Sequence, residues 1–171
     1  MACLRRAIGE LDNEIAAWAH QQPDWEIFDS LPGAGEVLAP RLMAALGSHR
    51  ERFASAAELQ CFSGIAPVKE ASGNSQRVHM RWACPKFVRQ SFHEWAGCSI
   101  PFCGWAKAYY DQQRACQKSH HTAIRALAFQ WMRILYRCWK DRQPYREEIY
   151  RLSWAKRNPP RPHLAQSVPM P

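Results

Sequence analysis

Apolar residues recur every three or four positions at the start of the chain, where Leu4, Ile8, Leu11, Ile15 and Trp18 draw one stripe along an otherwise polar rod. The pattern predicts a helix over Met1–Gln21 whose stripe needs a partner surface. That partner is either the helix's own domain or the rest of a longer helical connection. Pro23 ends the rod. A short helix is then expected to finish near Ser30, followed by a sharp Leu-Pro-Gly-Ala-Gly turn. A second helix runs to Leu46, with Gly47 as its C-terminal stop and Pro40 inside it as a possible bend.

"SAAELQCFSG" carries helix punctuation, with Ser55 as N-cap, Glu58 at the capping-box position and Gly64 at the end. Three further helices are predicted over roughly Pro85–Trp95, Phe102–Lys118, and Ser119 or His120 to Asp141. A final short helix covers Tyr145–Trp154. In the longest of these, Ile124, Leu127, Ala128, Trp131, Leu135 and Cys138 form the apolar face, and Arg125, Arg133, Arg137 and Lys140 the opposite one. "PVKEASGNSQRVHM", from Pro67 to Met80, breaks the rhythm and reads as an irregular loop over about residues 65–83. The expected fold is all-α. It has a coil-like helical lead-in over residues 1–22, a helical domain with a helix-hairpin-helix element over 23–157, and a proline-rich disordered tail over 158–171.

With 47% hydrophobic residues and 8 Trp, the chain has ample material for a buried core. Its apolar runs meet charges well short of a membrane span and its N-terminus lacks an apolar signal core, so a cytoplasmic protein without a membrane partner is expected. Seven Cys, an odd number with no C-x-x-C pair, point to reduced and mostly buried thiols. Cys98 and Cys103 with His93 are the nearest approach to a metal-ligand set. No second pair stands at ligand spacing, so core packing is the preferred reading and no metal residue is assigned.

The 23 Lys+Arg against 15 Asp+Glu give a net charge of +8, spread along most of the chain, and such a field favours polyanions. Gly33 and Gly35 would free the backbone to present N–H groups to a phosphate at a helix N-terminus; the alternative is a plain helical turn. In the irregular segment, Ser72 offers a hydroxyl beside Gly73, where a small neighbour lets a backbone approach closely. Lys69, Arg77, His79 and Arg81 supply cations nearby. Ser75 competes with Ser72, and either hydroxyl could serve only its own turn. Asp12, Asp24, Glu26, Asp29, Glu58 and Glu70 fall on different elements and assemble no Mg²⁺ cluster.

The order of these pieces resembles the C-terminal domain of the insertion-sequence "one-ten" transposases, relatives of the Piv invertase described as bridge-RNA-guided recombinases. The resemblance rests on "LPGAG", "FASAAELQCFSGIAPVKEASG", Arg89 within "FVRQSFHEWA", "WAKAYYDQQRACQKSHHTAIRALAFQWMRILYRCW", and the Pro144–Tyr145 pair, in family order from about Trp25 to Trp154. It implies an all-helical domain joined through a helical coil to an N-terminal RuvC-like nuclease domain. That other half would carry an Asp-Glu-Asp-Asp cluster with its Mg²⁺, leaving this chain without a cofactor of its own. The helical half supplies a serine that attacks DNA, and by position that serine is Ser72. Gly33, Gly35, Lys69, Gly73, Arg77, Arg81 and Arg89 are the implied DNA or RNA contacts. DNA, a guide RNA, further copies of the chain and a nuclease-domain chain are the implied partners. Cys84-Pro85 and Cys116 depart from the family's usual glycine-containing turns. The length implies a truncated transposase. Two other readings stay open: a non-enzymatic helix-hairpin-helix module that grips nucleic acid, and an inactive remnant.

Overall fold

A computed structural model describes residues 2–73 and 75–157, so the proline-rich tail lies outside the described residues. Among the described residues, eight α-helices, one 3-10 turn and one two-stranded sheet follow in the order α1 (Ala2–His20), α2 (Trp25–Asp29), α3 (Gly35–Leu46), the 3-10 turn (Arg50–Arg52), α4 (Ala56–Phe62), β1 (Pro67–Ser72), β2 (Ser75–Met80), α5 (Lys86–Ser99), α6 (Gly104–Ala115), α7 (His120–Asp141) and α8 (Glu147–Arg157). The helical architecture expected from periodicity is therefore present. None of these helices is long and apolar enough to cross a membrane.

The core is built around α7, which packs against α4, α5 and α6. All six apolar-face residues named above are buried in it. Local chemistry sets its ends. Ser119 Oγ accepts from the Thr122 amide at 3.3 Å, and Arg142 in the left-handed region (φ 54°) closes the last turn. Around Trp131 the aromatics converge, with ring centroids of Trp95, Trp105 and Tyr145 at 4.8, 4.6 and 5.3 Å. Their polar edges are satisfied inside the core. Trp131 Nε1 donates to Ser99 Oγ at 2.8 Å, Trp105 Nε1 to Tyr145 Oη at 2.8 Å, and Trp95 Nε1 to the Pro32 carbonyl at 3.1 Å. That last bond pins the α2–α3 turn onto α5.

Ser55 and Glu58 cap α4 as their spacing predicts: Ser55 Oγ accepts from the Glu58 amide at 3.2 Å, while Glu58 Oε2 reaches back to the Ala54 amide at 2.7 Å. Arg50 makes two bonds to the Asp24 carboxylate (3.0 and 2.6 Å) and lies 5.2 Å over the Trp139 ring, tying the start of α2 to the 3-10 turn.

Two expectations are corrected. The segment read as an irregular loop is an antiparallel hairpin, β1 paired with β2 from Pro67↔Met80 to Ser72↔Ser75. The thiols are not mostly buried. Only Cys103 and Cys138 are, while Cys3, Cys61, Cys98 and Cys116 are exposed and Cys84 is half-buried, all seven free. The exposed ones occupy the solvent side of helices or turns that still bury an apolar face elsewhere. Along α1 the predicted stripe stays open: Leu4, Ile8, Leu11, Ile15 and Trp18 are exposed. Only the end of that helix meets the domain, where Ala19 is buried and His20 stacks on Trp25 at 4.3 Å.

Candidate nucleic-acid interface

The hairpin stands out from the helical body, with all but Val68, His79 and Met80 of its described strand residues exposed. A lone two-stranded hairpin is marginal in water, so its anchoring matters. The anchor is at its root. Ile65 and Ala66 are buried, the Ala66 amide bonds the Gln60 carbonyl at 3.0 Å, and Gln60 Nε2 reaches the Phe129 carbonyl at 2.7 Å. On the returning side Arg89 Nη1 donates to the Arg81 carbonyl at 3.3 Å. Gly64, at φ +71°, packs so closely on Cys84 that a Cβ would collide with the sulfur.

Strand register sorts the site residues by face. Directly paired residues share a face and successive residues alternate. Ser72 therefore lies with Ser75, Arg77, Glu70 and His79, whereas Lys69 lies on the other face opposite Val78. Ser72 and Gly73 form the exposed tip, Gly73 at φ +56° with open space where a side chain would be. Glu70 Oε1 and His79 Nε2 are 3.6 Å apart, an ion pair when the imidazole is protonated. Arg77 is the arginine nearest Ser72 on this face, one same-face step away, about 7 Å along the strands.

Other members of the set are held apart. Arg81 and Arg89 sit at the root, beyond the Pro67–Met80 pair, which is itself five residue steps or about 17 Å from the tip. Gly33, at φ +73°, lies against the Cys98 and Ser99 backbone at the C-terminal end of α5, whereas Arg89 lies near its start, nine residues or about 14 Å away. Gly35, at φ +54°, is exposed with open space around it. Thus Ser72, Gly73 and Arg77 come together, and the α2–α3 turn forms a separate surface. The basic face of α7 is divided too: Lys140 Nζ bonds the Arg50 carbonyl at 2.9 Å and Arg137 is 3.8 Å from Asp141. Among the described residues no group of three or more His, Cys, Asp or Glu side chains is placed to hold a metal ion, so the donors present do not form a Mg²⁺ site.

A feature the sequence reading missed is a cleft of about 520 Å³ between the hairpin and α6/α7, with Lys118 and Arg125 among its walls. In the sequence Arg125 reads only as part of a helix face, and nothing in the spacing of Lys118 marks it.

The sequence profile described as the IS116/IS110/IS902 transposase family matches residues 25–111, from α2 through the hairpin into α6. This chain belongs to that family. It is 30% identical over 142 residues to the mini-circle putative transposase for IS117 of Streptomyces coelicolor, an alignment covering 83% of this chain and 34% of that protein. The IS900 uncharacterized 42 kDa protein of Mycobacterium paratuberculosis is 30% identical over 139 residues, 81% of this chain and 35% of the relative. An uncharacterized 43.6 kDa protein of IS110 from S. coelicolor is 30% identical over 135 residues, 77% and 32% of the two chains. The chain thus spans about a third of the length of these curated relatives. The relatives are insertion-element proteins, one of them described as a putative transposase.

Proposed function

We propose that this chain is the DNA-binding, serine-bearing C-terminal part of a transposase, and that Ser72 attacks a DNA phosphodiester during strand cleavage and rejoining. The observation that carries the reading is the exposed hydroxyl at the tip of an anchored arm, beside an open glycine and on the same strand face as Arg77. In the attack the Ser72 oxygen forms a bond to phosphorus, the bond from phosphorus to one deoxyribose oxygen breaks, and that oxygen leaves with a proton. Return of a DNA hydroxyl reverses the step, frees Ser72 and rejoins the strand. Arg77 would stabilise the negative charge that builds on the phosphoryl oxygens. Lys69, Arg81, Arg89 and the amides at Gly33 and Gly35 would add backbone contacts elsewhere on the DNA.

A proton acceptor from outside the hairpin is required, because Glu70, the nearest base on this face, stands across from Arg77 and 3.6 Å from His79. His79 is on the right face but about 14 Å along the strands from Ser72, beyond hydrogen-bond reach. A separate nuclease half, holding its own Mg²⁺, would supply that acceptor, and a guide RNA and further copies of the chain would complete a cytoplasmic complex. A second reading, a nucleic-acid-binding module without chemistry of its own, is favoured by that same distance.

Duplex DNA titrated at stepped salt concentrations tests the DNA-binding part. Affinity should fall linearly on a log–log plot, with Arg77→Ala lowering the slope by about 1. Salt-independent binding contradicts the proposal, and no binding above background leaves an inactive remnant.

A further inference from the structure

We infer that the cleft between the hairpin and α6/α7 receives one unpaired nucleotide of a DNA strand, its base in the cleft and its phosphate on the rim. The inference rests on the DNA-binding reading and adds to it a second, base-holding site walled mainly by the hairpin face opposite Ser72, with His79 also at its wall.

Several observations converge. At about 520 Å³ the cleft lies in the range of small-ligand sites, roughly 300–1,000 Å³. Val78 and Met80 of β2 wall it on one side, and Tyr109 of α6 and Phe129 of α7 on the other, so its surface is largely apolar and partly aromatic. Lys118, in the connection between α6 and α7, and Arg125, one turn into α7, bring positive charge to the same space. None of the described residues lining it is an Asp or Glu. An apolar slot with a cationic rim fits a flat aromatic ring carrying a phosphate. A paired base cannot offer that combination, because its faces are covered in the stack and its duplex is too wide for the slot; the base must leave the stack to enter.

The side chains are free to act. Val78 and Lys118 are exposed, and among the described residues no carboxylate pairs with Lys118 Nζ, which bonds the Gln113 side-chain amide oxygen. The Arg114 guanidinium accepts none of that role, since it donates to the Lys118 carbonyl at 2.7 Å and so fixes the turn that presents the lysine. Gln117 at φ 59° shapes the same turn.

The test uses the full chain and fluorescently labelled oligonucleotides of one sequence, as single-stranded DNA, single-stranded RNA and duplex DNA, at fixed salt. The single-stranded DNA should bind more tightly than the other two. Lys118→Ala, which removes the rim charge, and Ala126→Leu, which fills the slot from α7, should each weaken single-stranded binding about tenfold and leave duplex binding unchanged. A single 2-aminopurine in the strand should change fluorescence on binding the parent chain and lose that change with Ala126→Leu. Should the helix variant melt early, the exposed Lys118→Ala alone carries the comparison. Equal losses on single-stranded and duplex DNA, tighter binding of RNA, or an unresponsive 2-aminopurine overturns the inference while the DNA-binding reading stands. Failure to bind any of the three oligonucleotides overturns both.

Discussion

Arg89 donates to the backbone carbonyl of Arg81 at 3.3 Å, across the root of the hairpin that carries Ser72. The bond ties the returning strand to α5, and a charged donor to a carbonyl in a half-buried place contributes about 1.5–3 kcal/mol. Arg89→Ala should therefore loosen the arm before it loosens the core. Hydrogen exchange of the hairpin amides is expected to quicken by about tenfold or more, as a loss of at least about 1.5 kcal/mol implies, while amides within α7 keep their protection. Equal acceleration in both places would show the bond to be part of the global fold.

Gly33 and Gly35 share positive φ but differ in what surrounds them. A Cβ at Gly33 would collide with the Cys98 carbonyl, whereas one at Gly35 would meet open space. Gly35→Ala should cost only the left-handed backbone conformation, about 1 kcal/mol, or roughly 2–4 °C in melting temperature for a chain of this size. Gly33→Ala should cost about three times as much, because α5 must also give way. Thermal denaturation of the two variants settles the order.

Tyr145 accepts from Trp105 Nε1 at 2.8 Å through its hydroxyl, and its own amide bonds Ser30 Oγ at 2.8 Å. Burial pushes its phenol pKa strongly upward, so the hydroxyl stays protonated. Tyr145→Phe keeps the ring in the aromatic cluster but strands the indole N–H, and should destabilise the chain by about 1–3 kcal/mol in urea melts.

His93 gives the fold a pH dependence. Its pKa is lowered, chiefly by burial and further by His121, Arg125 and His120, against the opposing hydrogen bond with His121. A base with a depressed folded pKa is protonated more readily in the unfolded chain. Its contribution is complete above the unfolded value near 6.5 and is lost as pH falls from there toward the folded pKa. Urea midpoints should drop over that window, and His93→Gln should flatten the drop.

The helices were legible because one face of each must be apolar: the periodicity of α7 from Ile124 to Cys138 and the cap at Ser55 and Glu58 are local and strong. Helix α5 was read short, to Trp95 rather than Ser99, because Gly97 and Cys98 look like an ending; in fact Ser99 holds Trp131. The hairpin was missed for a physical reason. Both its faces are largely solvated, so no apolar alternation marks the strands, and only the Gly73-Asn74 pair between Ser72 and Ser75 hints at a two-residue turn. Candidate residues were readable as types, but the separation of Gly33 and Arg89 from Ser72 depends on where α5 runs, which no local pattern encodes.

The serine chemistry itself is tested most directly by trapping. The chain, joined to the N-terminal part of a longer relative, would be given a DNA substrate nicked so that cleavage releases a fragment and cannot reverse. The expected product is a covalent protein–DNA adduct whose peptide maps to Ser72 and which disappears with Ser72→Ala but persists with Ser75→Ala. An adduct at Ser75, or one that survives Ser72→Ala, would contradict the account.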